Sequence, residues 1–208
     1  MPRRPATSRR LVLLADGGAL LDLNERLAGE GAGKIDFAKI PDLVVDVLAD
    51  HNLTADAPLD SRILCTVGSE KAQGFLAKME QSWTVRAFPL SFAKYDRSPD
   101  HGSDRHKFRL RFHAYIGYVL GVLAGGGNRT EELLVGILSD DPHLIPCMAD
   151  ARAAGIDARL VWWQSSLGEE VAYLAARNGV LTLLLPFEEA ASRPIHQRDA
   201  VIQQLLQS

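Results

Sequence analysis

The stretch Arg10-Leu-Val-Leu-Leu-Ala-Asp16, followed by Gly17 and Gly18, decides the fold of this 208-residue chain. A run of apolar residues that ends in an acid is typical of a parallel strand, buried on both faces, at the point where it emerges at its carboxyl end. The leucines that follow recur at helical spacing as far as Gly29. The sequence therefore predicts a buried strand that leads directly into a helix.

The same alternation continues along the chain. Further strands are predicted at residues 61–68, 83–88, 132–141, 158–163 and 180–185, with helices between them. Residues 90–107 lack periodicity and are predicted to be a loop, whereas the tail at 199–207 is predicted to be a helix. Repeated strand–helix units indicate the α/β class, as a three-layer αβα domain with a mostly parallel central sheet. A reversal of winding direction places the binding crevice beyond the carboxyl ends of the strands.

The charge pattern suggests three parts: a flexible basic N-terminus at 1–9, a domain at 10–186 and a C-terminal extension, predicted to be helical, at 187–208. The formal net charge of −3 excludes a uniformly basic nucleic-acid coat. Residues 1–10 nevertheless carry four arginines and no acid, and residues 94–111 carry six basic and three acidic side chains. Two basic patches on an acidic body fit a phosphate-bearing partner, and they also fit ordinary solvated surface.

Composition points to an intracellular protein. Cys65 and Cys147 show no Cys-x-x-Cys spacing and are expected to be buried, reduced thiols. No run approaches the roughly 20 apolar residues that a membrane-spanning helix needs. We therefore expect no membrane association and a cytoplasmic location.

Carboxylates mark the ends of two predicted strands. Asp16 ends the first one, where it is either a helix cap or a metal ligand. Asp140 and Asp141 end a later strand, just before Pro142, and one of the two is expected to cap the next helix. Because hard cations such as Mg²⁺ take oxygen ligands, two acidic strand ends in one sheet indicate a metal site.

Four stretches resemble the motifs of one family. Leu11-Val-Leu-Leu-Ala-Asp16-Gly-Gly is similar to an opening strand that ends in Asp-Gly-x-Asn. Residues 134–146, with Val-Gly-Ile-Leu-Ser-Asp-Asp-Pro-His-Leu-Ile-Pro inside them, are similar to a strand followed by Ser-Gly-Asp-Ser-Asp-Phe-x-Pro. Residues 151–160 are similar to the helix, glycine and strand that come next, and residues 111–124 to a helix with Gly-Val-Asp and a second Asp six residues later. On these grounds residues 10–185 resemble the NYN domain, a LabA-like branch of the PIN-like metal-dependent ribonucleases.

The resemblance implies a PIN-like fold, a divalent metal, RNA as partner and metal-dependent hydrolysis of RNA. The family's acids are only partly present, because Asp16 and Asp141 keep their register while Asp140 stands in a motif glycine position. The remaining expected positions hold other residues: Ala19, His113, Val119 and His143.

Two interpretations of the site follow. In the first, Asp16, Asp140, Asp141, His113 and His143 hold the metal, with Asp16 and Asp141 catalytic; Mg²⁺ or Mn²⁺ is expected, or Zn²⁺ or Fe²⁺ if the histidines are ligands. In the second, the site is decayed and the domain binds RNA or a protein without cutting. A homo-oligomer is compatible with either.

Basic residues precede His113. Arg105, Lys107, Arg109 and Arg111 are predicted to bind the phosphate backbone of the substrate, or else to form a solvated edge. Trp162 and Trp163 would stack on bases if exposed; the alternative is one core and one rim residue. Tyr115 is expected to be a packing residue of its helix.

Overall fold

The computed structural model describes residues 9–31, 33–68, 73–89, 104–126, 133–186 and 191–192. The strands are β1 (Arg9–Asp16), β2 (Lys34–Ile35), β3 (Ala55–Asp56), β4 (Arg62–Gly68), β5 (Thr84–Pro89), β6 (Leu133–Leu138), β7 (Asp157–Trp163), β8 (Leu181–Leu185) and β9 (Ala191–Ser192). The α-helices are α1 (Gly17–Gly29), α2 (Ile40–Asp50), α3 (Gln73–Met79), α4 (Asp104–Gly125), α5 (Ile145–Ala153) and α6 (Glu169–Arg177).

A seven-stranded parallel sheet forms the centre of the molecule. Its order is β5-β4-β1-β6-β7-β8, and the short strand β3 pairs with the beginning of β1. The strands β2 and β9 form a separate antiparallel pair. The predicted α/β class, with a mostly parallel central sheet between helices, is confirmed.

The winding direction reverses beside β1. The chain adds β4 and β5 on one side of β1, then crosses over to add β6, β7 and β8 on the other side. In open α/β sheets such a reversal leaves a crevice beyond the carboxyl ends of the two strands that flank it. Here those strands are β1 and β6. Asp16 is the last residue of β1, and Ser139 is the first residue after β6.

Both faces of the sheet are covered, as the apolar run of β1 predicts. Leu11 and Leu13 pack on one face with α1 and α2, whereas Leu14 packs on the other with α4, α5 and α6. Helix α4 contributes a row of side chains spaced four residues apart, which we call the buried ridge: Phe108, Phe112, Ile116 and Leu120. No helix in the described ranges is long and apolar enough to cross a membrane.

Helix α4 begins earlier than the sequence indicates. The predicted loop is wrong for residues 104–107, which belong to the helix. The segment Asp104-Arg-His-Lys107 contains no apolar residue, so the sequence there carries no helical periodicity. The remaining loop residues, 90–103, lie outside the described ranges, as do the basic residues 1–8 and the tail at 199–207. The loop, the flexible N-terminus and the terminal helix therefore stay predictions. Strands β2 and β3, two residues each, are too short for a periodic signal.

Trp162 and Trp163 are both fully buried at the end of β7. Their rings make an edge-to-face contact with a centroid separation of 5.3 Å. The expectation of one rim tryptophan is therefore wrong, and neither ring can stack on a base. The two cysteines are free thiols, as predicted, but only Cys65 is buried as expected, whereas Cys147 is half-buried.

Two glycines let α1 begin immediately after β1. A Cβ atom on Gly17 would lie 2.5 Å from the backbone oxygen of Cys65, and one on Gly18 would lie 3.0 Å from Cε1 of Phe108. The start of α1 is thus enclosed by β4 on one side and α4 on the other. This close approach holds Asp16 at the crevice.

We expect Gly17→Ala to lower the free energy of unfolding by about 1–3 kcal/mol, because its methyl group meets backbone that must shift. Gly29→Ala, at the other end of α1, is the matched control. Nothing lies within 4 Å of a Cβ atom there, so the substitution is expected to be neutral or to stabilise by up to about 1 kcal/mol. Urea denaturation followed by circular dichroism measures both, and equal effects would contradict the packing argument.

Candidate functional site

Asp16 is buried at the carboxyl end of β1, with 1% of its surface exposed. Its Oδ1 atom accepts a hydrogen bond of 2.9 Å from the backbone N–H of Ala19. This is the N-cap interaction that satisfies one of the free donors at the beginning of a helix. Asp16 is therefore the cap of α1.

Ser139 links the two acidic strand ends. Its hydroxyl donates to Oδ2 of Asp16 over 3.2 Å, and its Oγ accepts from the backbone N–H of Asp141 over 3.2 Å. Ser139 is fully buried, so both bonds are shielded from water. The structure thus brings Asp16 and Asp141 to one place, as the parallel topology indicates.

Asp141 receives donors on both carboxylate oxygens. Oδ1 accepts from the backbone N–H of His143 over 3.0 Å and so caps the short 3-10 turn Pro142–Leu144. Oδ2 lies 3.0 Å from Nε2 of His113 and 3.7 Å from Nε of Arg109. Only 1% of the Asp141 side chain is exposed. The carboxylate is held by groups of the protein itself.

The two carboxyl groups have opposite pKa shifts. Burial raises the pKa of Asp16 to about 6, against the weaker opposing effects of its hydrogen bonds to Ala19 and Ser139. Burial acts in the same direction on Asp141, but the hydrogen bonds from His113 and the His143 amide, with nearby positive charge, outweigh it and lower the pKa of Asp141 to about 2. At neutral pH Asp141 is therefore ionised and can only accept hydrogen bonds.

This ionisation state determines which ring nitrogen of His113 carries a hydrogen. A carboxylate has no proton to donate, so Nε2 of His113 must carry the hydrogen of the 3.0 Å bond. The nitrogen that faces Asp141 is then a donor and not a free lone pair. His113 cannot use it to bind a metal ion next to Asp141.

Asp140 and His143 lie at the margin of the site. Asp140 is half-buried and close enough for its charge to raise the pKa of Asp16. The ring of His143 is exposed, with its centroid 6.4 Å from that of His113. Only the backbone N–H of His143 is hydrogen-bonded to Asp141. The ring has no part in that interaction.

The donor set does not fit the metal that the resemblance implies. In the ranges that the structure describes, no group of three or more His, Cys, Asp or Glu side chains is arranged to hold an ion. A divalent ion on Oδ2 of Asp141 would also lie beside Arg109, which remains positively charged at all relevant pH values. Because like charges repel, the guanidinium disfavours an ion there.

The four predicted phosphate-binding residues do not act as one group. Arg109 faces Asp141, whereas Lys107 and Arg111 lie on the other side of the buried ridge, one helical turn apart, and both are half-buried. The side chain of Arg105 lies outside the described part of the chain. Helix α4 thus presents basic residues on two sides.

Sequence reasoning missed two contacts of the site. The hydroxyl of Ser139 was not expected to join the two acids, although its place before Asp140 and in the motif serine position was a signal. The pairing of Arg109 with Asp141 was not expected either. A spacing of four residues between Arg109 and His113 on one helix face was the available sign that they share a partner.

Comparison with known proteins adds no further assignment. No family model matches the chain, and no curated protein matches it in sequence. The resemblance to the NYN domain therefore rests on the sequence motifs alone.

Asp16→Asn should change how stability depends on pH. A folded-state pKa of about 6, above the ordinary 3.8, stabilises the fold below pH 3.8, and this contribution is lost as the pH rises through about 6. Asparagine still accepts the Ala19 bond but does not titrate. The free energy of unfolding of the variant, relative to that of wild type, should therefore be about 1–2 kcal/mol higher at pH 7.5 than at pH 5.

Urea denaturation at both pH values measures this difference. Glu25→Gln, on the exposed side of α1, controls for the loss of one negative charge and should show no such trend. A stability difference between Asp16→Asn and wild type that does not change with pH would show that Asp16 is not an acid of raised pKa.

Proposed function

We propose that this domain is a cytoplasmic RNA-binding module of the PIN-like type whose acidic centre organises the fold and does not hold a catalytic metal. One observation carries the proposal. Oδ2 of Asp141 lies 3.0 Å from Nε2 of His113 and 3.7 Å from Nε of Arg109. A cationic side chain of the protein thus lies beside the carboxylate that the resemblance makes a metal ligand.

In this proposal the acidic centre, formed by Asp16, Ser139 and Asp141, stabilises the fold. Asp141 joins α4, through His113 and Arg109, to the turn after β6. Ser139 joins the same turn to Asp16 at the end of β1. Removing one partner of such a buried network leaves the other charge unpaired, which is strongly destabilising. These residues would be kept for the architecture even without hydrolysis.

RNA is the partner that the chemistry favours. Lysine and arginine supply the sequence-independent part of affinity for phosphate backbones, and α4 carries them beside the crevice. Since the net charge of the whole chain is −3, binding must rest on local charge. The motif resemblance implies RNA as well.

A metal-dependent ribonuclease is the second candidate. It is favoured by the proximity of Asp16 and Asp141, which a single serine links. Mg²⁺ or Mn²⁺ would be the ion in that case. The candidate requires Asp141 to exchange its contacts with His113 and Arg109 for the ion, and the present geometry does not favour that exchange.

A labelled single-stranded RNA distinguishes the two candidates. We expect its affinity, measured by fluorescence anisotropy, to be equal in EDTA and in Mn²⁺ and to fall with salt by a log–log slope of about 0.7 for each phosphate contact. We expect intact RNA on gels. Asp141→Asn should bind RNA no more weakly than wild type, because it removes a negative charge from the site.

Asp150→Asn is the matched control, since it removes one negative charge from an exposed position on α5. Circular dichroism verifies that each variant is folded. Cleavage in Mn²⁺ that is lost in Asp141→Asn and kept in Asp150→Asn would establish the ribonuclease. Failure of the wild type to bind RNA at low salt would contradict both candidates.

A further inference from the structure

We infer that Arg86 is a base-stacking and phosphate-binding residue for single-stranded RNA, held in place on the ring of Tyr115 at the edge of the sheet. The inference rests on the proposed RNA binding and adds a contact surface to it. From sequence, Tyr115 is expected only to pack within its helix.

Strand register places Arg86 in line with the acidic site. Asp16 of β1 pairs with Cys65 of β4, and Cys65 pairs with Arg86 of β5. Because neighbouring strands lie about 4.8 Å apart, Arg86 is about 10 Å from Asp16 along this row. Residues in lateral register point to the same face of a parallel sheet, here the face covered by α4. Arg86 therefore lies next to the proposed RNA-binding crevice.

Aromatic packing fixes the position of Arg86. Its guanidinium carbon lies 4.5 Å from the centroid of the Tyr115 ring, an ordinary cation–π distance. Tyr115 makes an edge contact with Phe88 at 5.9 Å, and Phe88 contacts Phe108 at 6.0 Å. Phe108 belongs to the buried core. The guanidinium is thus supported by rings that are anchored in the protein interior.

Arg86 differs from most arginines of the sheet because it forms no ion pair within the described residues. Arg9, Arg62 and Arg159 each pair with an aspartate. Within the described part of the chain, no carboxylate forms an ion pair with Arg86, which is exposed. Since an exposed guanidinium held on a ring still presents its other side to solvent, it offers a positive, planar and weakly hydrated surface.

Such a surface suits unpaired bases. Single-stranded nucleic acid is bound by stacking bases on aromatic rings or arginine planes along a positively charged path. Lys107 and Arg111 lie on the same side of α4 as Tyr115, at intervals of one helical turn. They continue the positive charge from Arg86 along the helix. Strand β5 is at the end of the sheet order, and among the described strands only β4 pairs with it.

The test measures RNA affinity and its salt dependence for three variants of the full chain. Arg86→Gln should weaken binding about tenfold, within the range for loss of one stacked base, and should reduce the log–log salt slope by about 0.7. Arg86→Lys keeps the charge but not the plane, so it should lose affinity while the slope is unchanged. Tyr115→Leu keeps an apolar side chain against Phe88 and should weaken binding because Arg86 loses its support.

Arg177→Gln is the control, because Arg177 is also exposed and lies on α6, away from β5. It should bind RNA within about twofold of wild type. If wild type binds RNA, and both Arg86→Gln and Tyr115→Leu bind it as tightly as wild type does, this inference is wrong while the proposed function stands. Equal losses in Arg86→Gln and Arg177→Gln would also overturn it, since they would reflect only net charge. Absence of RNA binding in the wild type overturns both proposals.

Discussion

The hydrogen-bonded carboxylate of Asp141 is the interaction on which the rest of the site depends. It joins a turn at the end of β6 to the middle of α4, and its two oxygens are bonded to the backbone of His143 and to the ring of His113. A buried charge is tolerated only when such partners are present. Because the partners include the cationic Arg109, the negative charge of Asp141 is balanced from within the protein. This electrostatic balance favours a structural acid over a metal ligand.

The two acids of the crevice complement each other through Ser139. Asp141 is stabilised as an anion, with a pKa lowered to about 2, whereas burial raises the pKa of Asp16 to about 6. A single serine hydroxyl connects them, donating to one and accepting from the backbone of the other. The two carboxylates accept hydrogen bonds from different donors. Arg109 also lies close enough to both for its positive charge to lower the pKa of each. These interactions allow the two groups to lie near each other.

Much of the architecture could be predicted because parallel sheets impose strong patterns. An apolar run ending in Asp16 indicates a buried strand, and strands in one parallel sheet end at a common edge. The meeting of Asp16 with the turn that holds Asp141 follows from that rule. The start of α4 could not be predicted, because the helix begins at Asp104 whereas the apolar spacing that marks it in the sequence begins only at Phe108.

The partners of each charge could not be predicted from sequence. Arg109 and Arg111 are two residues apart and chemically identical, yet only Arg109 pairs with Asp141. The difference arises from the rotation of α4 about its axis, which the packing of the buried ridge determines. That rotation depends on contacts between Phe108, Phe112 and the sheet, which are long-range. Likewise Trp162 and Trp163 were expected to differ in exposure, but both are covered.

Titration with Mn²⁺ tests most directly whether Asp141 is engaged by the protein's own side chains. Isothermal calorimetry on wild type and Asp141→Asn, extended into the millimolar range, would measure ion binding at the crevice without any substrate. The structure predicts no saturable binding in the wild type and no difference between the two proteins. Stoichiometric binding of one Mn²⁺ that disappears in Asp141→Asn would contradict the structural role of Asp141 and would favour a metal-dependent enzyme.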